Sequence, residues 1–191
     1  MNKFTCLRGC MSILLAVIMA IAFAYPTDVK ASSAQDALFM DNVEVYSTTL
    51  YTYQELKIMT CIIYAEAGNQ SQKGRVAVGN VIINRVNDQR FPDTVKAVVY
   101  AKNQFTAVTG AHYKNALKLY NKIDSSTGII AAAMRKCKAA ARTALKGKSY
   151  IKDYLFYARY DNWLAKKAVK DPDVRTMRIG DHVFFDEYPM N

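Results

Sequence analysis

The chain is 191 residues long, 51% hydrophobic, and carries a formal net charge of +10 at pH 7. That size suits one domain with a real core. The charge invites an anionic partner: a wall polymer, a membrane surface or a nucleic acid.

Residues 1–24 are read as a secretory signal peptide and not as fold. Lys3 and Arg8 give a positive start, Met11 to Phe23 is uncharged, and Ala22-Phe23-Ala24 supplies a small-x-small cleavage site before Tyr25. The run is shorter than the roughly 20 apolar residues that span a bilayer. A cut after Ala31 and an uncleaved anchor are the alternatives. Loss of this segment removes Lys3 and Arg8 and no acid, so the net charge falls from +10 to +8. An export signal argues against nucleic acid, and no stable membrane span is expected after cleavage. Residues 25–50 are polar and mixed, and are read as a leader or linker. Residues 51–191 are expected to form the functional domain.

Thr52-Tyr-Gln-Glu55 fits a capping box and opens a helix. Leu56, Met59, Ile62, Ile63 and Ala67 fall at helical spacings on one apolar face. Glu66 shares that stripe, and Gly68 follows as the expected end of the helix. A carboxylate on an apolar face in the last turn of a helix has its pKa raised by desolvation. The negative end of the helix dipole acts in the same direction. Such a glutamate suits general acid chemistry. The alternative is a glutamate at a frayed end that reaches water.

Ser71 is the expected N-cap of a second helix. Val76, Ala77, Val78, Val81, Ile82, Ile83 and Val86 leave it little polar face, so it should be the central helix of a single core. Gly74, Ala77 and Gly79 permit close backbone approach. Asn80 and Asn84, one turn apart, are expected to satisfy buried backbone groups.

Asn87 to Pro92 reads as a loop, and a short helix should start near Asp93 or Thr94. Lys102 to Gly110 reads as a loop with one exposed aromatic, Phe105. Ala116 to Tyr120 suggests another short helix. A long Ala-rich helix is expected from about Ser126 to Leu145, with Ile130, Met134, Cys137, Ala141 and Ala144 inward and Gly147 as its stop. Lys136, Lys138, Arg142, Lys146 and Lys148 look like a solvated face. The tail is aromatic: Tyr154, Phe156, Tyr157, Tyr160 and Trp163 suit either sugar-stacking platforms or ordinary packing. Ile179 to Phe185 is strand-like around Gly180-Asp181, which predicts a small antiparallel pair.

Cys61 and Cys137 fit one disulfide or two buried free thiols. His112 and His182 lack ligand spacing and there is no CxxC, so no catalytic metal and no cofactor are expected.

Several stretches together resemble a known family. Tyr64-Ala-Glu-Ala, Val76-Ala-Val-Gly-Asn-Val-Ile-Ile-Asn-Arg-Val86 and Phe91-Pro-Asp-Thr-Val95 come first. Val98-Val-Tyr100, Gln104-Phe-Thr-Ala-Val108, Phe156-Tyr157 and Ile179-Gly-Asp-His-Val-Phe184 follow in order. From about Leu56 to Phe185 the chain resembles the catalytic domain of the spore cortex-lytic enzymes, germination-specific cell-wall hydrolases. The resemblance implies an α+β, mainly α, lysozyme-like fold with a small antiparallel β element near the C-terminus. It implies cleavage of the MurNAc–GlcNAc bond of peptidoglycan by a lytic transglycosylase, secreted and acting in the cell wall or spore. Glu66 matches the family's catalytic glutamate. Gln104, Phe105 and Thr106 match a signature loop expected to line the glycan groove, with Tyr157 as a further substrate contact. Ala158 stands where the family commonly has asparagine, and Phe185 where it has tyrosine. The expected partners are peptidoglycan glycan strands, with anionic wall polymers besides.

A hydrolase usually needs a second carboxylate. Asp88, Asp93, Asp161 and Asp181 are available, but none has an apolar setting like that of Glu66. A hydrolytic muramidase and a non-catalytic wall-binding protein are the competing readings.

Overall fold

The structure is a computed structural model that describes residues 43–46 and 49–189. The expected signal peptide and its cleavage sites lie outside the described residues. β1 (Val43–Tyr46), in the stretch read as leader, pairs antiparallel with β2 (Thr49–Thr52), which crosses the boundary expected at residue 51, with Val43 opposite Thr52 and Tyr46 opposite Thr49.

Helix α1 (Tyr53–Ala67) starts on the expected capping box. Thr52 Oγ1 accepts from the Glu55 amide at 3.2 Å, and Glu55 Oε2 accepts from the Thr52 amide at 2.8 Å. Leu56, Met59, Ile62 and Ile63 are buried, as their spacing requires. Gly68 ends the helix in a right-handed conformation, not the left-handed one usual for a terminal glycine. It is needed for space: a Cβ there would lie 2.5 Å from the Tyr64 carbonyl oxygen. Arg75 Nη2 donates to Gly68 O at 2.8 Å, so a cation sits at the negative end of the dipole.

Helix α2 (Gln72–Val86) is capped by Ser71 and is the central helix, buried from Gly74 through Ile82. A Cβ on Gly79 would lie 2.9 Å from Ala144 Cβ, so this glycine sets a close helix contact. Helix α3 (Val95–Tyr100) begins at the Thr94 cap. A 3₁₀ turn (Thr106–Thr109) leads into α4 (Ala111–Tyr120). Helix α5 (Ile129–Leu145) packs against both α1 and α2. Its inner face is Ala131, Met134, Cys137, Ala141 and Ala144, whereas Ile130 is 59% exposed. Ile130 has the spacing of the inner face but lies in the first turn, and burial begins one residue later. Cys61 and Cys137 are free and buried, which decides between the two cysteine readings. Burial pushes their thiols up to about 12 and about 11.

The tail forms a three-stranded antiparallel sheet in the order β3 (Phe156–Arg159), β5 (His182–Phe185), β4 (Thr176–Ile179). The expected β4–β5 pair is present, and β3 joins its other side with Tyr157 opposite Phe184. Helix α6 (Trp163–Lys170) was not predicted. Asn162 caps it, accepting from the Leu164 amide at 2.9 Å, and Ala165 and Ala168 pack on Val183 and Phe185. Phe185 is fully buried and its ring stacks 5.7 Å from that of Phe156.

One polar face of α2 fixes the chain that leads into this sheet. Asn80 donates to Lys148 O at 2.8 Å and accepts from the Tyr150 amide at 3.0 Å. Asn84 Nδ2 donates to Lys152 O at 3.1 Å and Tyr154 O at 2.8 Å. Arg85 Nε donates to Leu155 O at 2.7 Å. The two asparagines therefore satisfy backbone groups, as their positions predicted. Asn80 is 3% exposed and both of its backbone bonds are part-buried, so its loss removes the partner of a carbonyl and of an amide. Asn80→Ala should lower unfolding stability by about 2 kcal/mol, measured by urea denaturation; a change within error would show that water replaces the amide there.

Candidate active site

Three segments converge on Glu66: the end of α1, the 3₁₀ turn after Phe105, and strand β3. The carboxyl is half-buried and lies on the Met59, Ile62 and Ile63 side of α1, all three being fully buried. The Tyr157 hydroxyl and the Ala107 amide are the polar groups that face it. Burial raises its pKa, and these two donors, which favour the anion, hold the rise back. The dipole effect expected from sequence is countered by Arg75 at the same helix end.

Tyr157 is pushed well above the usual phenol range, by burial first and then by the charge of Glu66. It therefore stays a protonated donor. His182, whose ring lies 5.3 Å from that of Tyr157, is shifted down by burial. Its Nδ1 is buried without a hydrogen-bond partner among the described residues.

Glu66 opens into a cleft of about 540 Å³ that Arg85, Gln104, Thr106, Tyr157 and His182 also line. Arg159, Asn162 and Trp163 form its far wall, and Trp163 is 63% exposed. The structure thus brings Gln104, Thr106 and Tyr157 together with Glu66. Phe105 is different. It is 3% exposed and packs beneath the loop, its ring 5.1 Å from the Arg85 guanidinium. The expected exposed aromatic is instead a buried support, its ring packed against Arg85 and 6.5 Å from the ring of Tyr157.

Sequence reasoning passed over Arg85. It is 5% exposed, and its guanidinium lies 5.1 Å from the Phe91 ring and 5.5 Å from that of Phe156. Its Nη1 donates to Gln104 Oε1 at 3.1 Å. The signal available was a lone cation, one residue after Asn84, at the end of an otherwise buried helix.

Among the described residues Glu66 is the one acid lining the cleft. Asp161 binds Arg159, Asp181 accepts from Gln70 Nε2 at 3.0 Å, and Asp88 pairs with Arg90 at 2.9 Å. No group of three His, Cys, Asp or Glu side chains is placed to hold a metal among the described residues. His112 stacks on Tyr64 with ring centroids 4.7 Å apart.

The profile of the cell wall hydrolase family matches residues 69–185. The chain belongs to the cell wall hydrolase family. The matched stretch contains Arg85, Gln104, Tyr157 and His182, and begins just after Glu66. A spore cortex-lytic enzyme of Oceanobacillus iheyensis is 41% identical over 58 residues, 30% of this chain and 21% of that relative. One from Bacillus cereus is 27% identical over 134 residues, 70% of this chain and 45% of its own length. The chain spans less than half the length of the curated relatives it matches. Among solved structures, the catalytic domain of Bacillus cereus SleB aligns with a TM-score of 0.52 at 27% identity, covering 70% of this chain and 91% of that one. The catalytic domain of the germination-specific lytic transglycosylase SleB from Bacillus anthracis aligns with a TM-score of 0.54 at 26% identity, covering 73% and 98%. The mainly helical, lysozyme-like fold with a small antiparallel sheet is therefore the fold this chain has.

The raised pKa of Glu66 has a consequence for stability. Where the folded pKa exceeds the unfolded value of about 4.3, the unfolded state releases its proton first. Stability is then full below the unfolded pKa and lost as pH rises through the folded one. Glu66→Gln does not titrate. In urea denaturation it should gain stability relative to wild type between pH 4 and pH 7.5; a difference that does not change with pH would place the carboxyl in water.

Proposed function

We propose that this cell wall hydrolase cleaves the MurNAc–GlcNAc glycosidic bond of peptidoglycan as a lytic transglycosylase. The observation that carries the reading is that Glu66 is the one acid lining the cleft among the described residues, raised by burial and faced by two donors. Two-carboxylate glycosidases set their acids about 5–5.5 Å or about 6.5–9.5 Å apart across the bond. Here Asp88, Asp161 and Asp181 are engaged elsewhere, and Asp93 does not line the cleft. The name of one solved relative, a germination-specific lytic transglycosylase, supports this reaction, and the spore cortex-lytic names of the others support wall degradation.

The reaction runs on Glu66 twice. Protonated Glu66 donates to the glycosidic oxygen as the C1–O bond breaks with oxocarbenium character. The carboxylate formed is stabilised by the Tyr157 hydroxyl and the Ala107 amide, donors that bind an anion more strongly than an acid. It then takes the proton of the MurNAc C6 hydroxyl, whose oxygen bonds to C1. The product is a 1,6-anhydro end, and Glu66 is protonated again. Gln104 accepts from Arg85 through Oε1, so its amide NH₂ is the group it offers to a sugar oxygen. Thr106 and Tyr157 contact the glycan from either side of the acid. The enzyme acts after export, on cell wall or spore cortex, where its positive charge favours a polyanionic wall.

Glu66→Gln keeps the shape and removes the proton donor. Turnover of purified peptidoglycan should fall by roughly 10²–10⁴ or more, with an unchanged circular dichroism spectrum. Mass spectrometry of wild-type digests should show 1,6-anhydro-MurNAc ends. Reducing ends would establish a hydrolytic muramidase, and binding without soluble fragments a wall-binding protein.

A further inference from the structure

A second groove, of about 480 Å³, backs onto the cleft. Its floor is apolar: Ala165, Val169, Met177 and Val183. Its charged lining is Lys166, Lys170 and Arg178, with no acid. The C-terminal dipole of α6 accounts for a lysine at Lys170, but Arg178 comes from β4 and Lys166 from the middle of α6. Like charges four residues apart on a helix are mildly unfavourable.

Arg178 is held in place. Its guanidinium sits 4.2 Å above the Tyr160 ring, and its Nε donates to Gly180 O at 3.0 Å. Its Nη1 and Nη2 have no acceptor among the described residues. The nearest acids stand outside the lining: both Asp161 oxygens bind Arg159, and Asp171 Oδ1 accepts from the Asp173 amide at 3.1 Å. The groove thus combines small apolar contacts with three cations and no acid in its lining, which suits a carboxylate ligand bearing methyl groups. A phosphate polymer would have no use for the apolar floor.

The two depressions share their wall. Helix α6 contributes Trp163 and Leu164 to the cleft and Lys166 and Val169 to the groove, and β5 contributes His182 to one and Val183 to the other. A helix is about 10 Å across, and four extended residues span about 13 Å. A short peptide on a sugar in the cleft can cross that wall.

We propose that the groove binds the peptide stem of the glycan strand being cleaved, a short acidic peptide rich in alanine. The stem carboxylates meet Lys166, Lys170 and Arg178, and the alanine methyls lie on Val169 and Ala165. The proposal rests on the reading of the cleft as a glycan site.

The test uses the triple variant Lys166→Gln, Lys170→Gln, Arg178→Gln at constant ionic strength. N-lactoyl stem tetrapeptide should shift the amide NMR signals of Tyr160, Val169 and Arg178 in the wild-type chain and in Glu66→Gln, but not in the triple variant. The triple variant should raise KM for stem-bearing glycan roughly tenfold and leave KM for amidase-stripped glycan unchanged. Absence of peptide-induced shifts, or an equal change on both glycans, overturns the proposal. So does a response of these signals to glycerol phosphate oligomer alone. The NMR arm requires no turnover, so it stands or falls separately from the role of Glu66.

Discussion

The row of polar side chains on α2 is the constraint on which the site depends. Asn80, Asn84 and Arg85 bind the backbone from Lys148 to Leu155, and β3 begins at the next residue. This lays Tyr157 over the end of α1. Each bond contributes about 1 kcal/mol net, but a buried partner left unpaired costs about 1–3 kcal/mol, so the row is far more costly to break than to lack altogether. Arg85 does a second job. The same guanidinium holds Gln104 and is flanked by the rings of Phe91, Phe105 and Phe156. One helix end thereby ties the sheet, the loop and the core into one cleft.

Glu66 sits where two opposed effects meet. The apolar side of α1 favours the neutral acid, and the donors from Tyr157 and Ala107 favour the anion. Burial is the larger effect, so the neutral acid is favoured relative to a free glutamate, yet the anion has donors facing it when the proton leaves. An exposed glutamate would already be ionised at neutral pH, and one buried without donors would resist giving up its proton. The intermediate setting suits a residue that must donate and then accept within one turnover.

The two central helices were legible because their signals are local. Thr52, Glu55 and Ser71 mark caps, and a 3.6-residue apolar period places Glu66 on the core side. Asn80 and Asn84 were legible because a polar residue on an all-apolar helix needs a partner. Features that depend on contacts distant in sequence were not. The burial of Phe105 requires Arg85 beneath it, and α6 is short, with an apolar face that forms only against β5. The paired strands β1 and β2 are four residues each, too short for the alternation of Val43-Glu44-Val45 to stand out from the mixed segment before it. Ile130 obeys the period of α5 and is still exposed, because periodicity gives a face and not the extent of the partner. The second groove draws on Tyr160, α6 and β4, and no linear pattern joins them.

The most direct test of the account is the pH dependence of glycan cleavage by wild type and by Tyr157→Phe, on soluble substrate at constant ionic strength. The wild-type rate should fall on a deprotonation limb above that of a free glutamate, about 4.3. Tyr157 lowers the pKa of Glu66, so its removal should move the limb to higher pH, whatever happens to the maximum rate. A limb that stays in place or moves to lower pH in Tyr157→Phe would contradict the claim that the proton comes from Glu66 held in this balance.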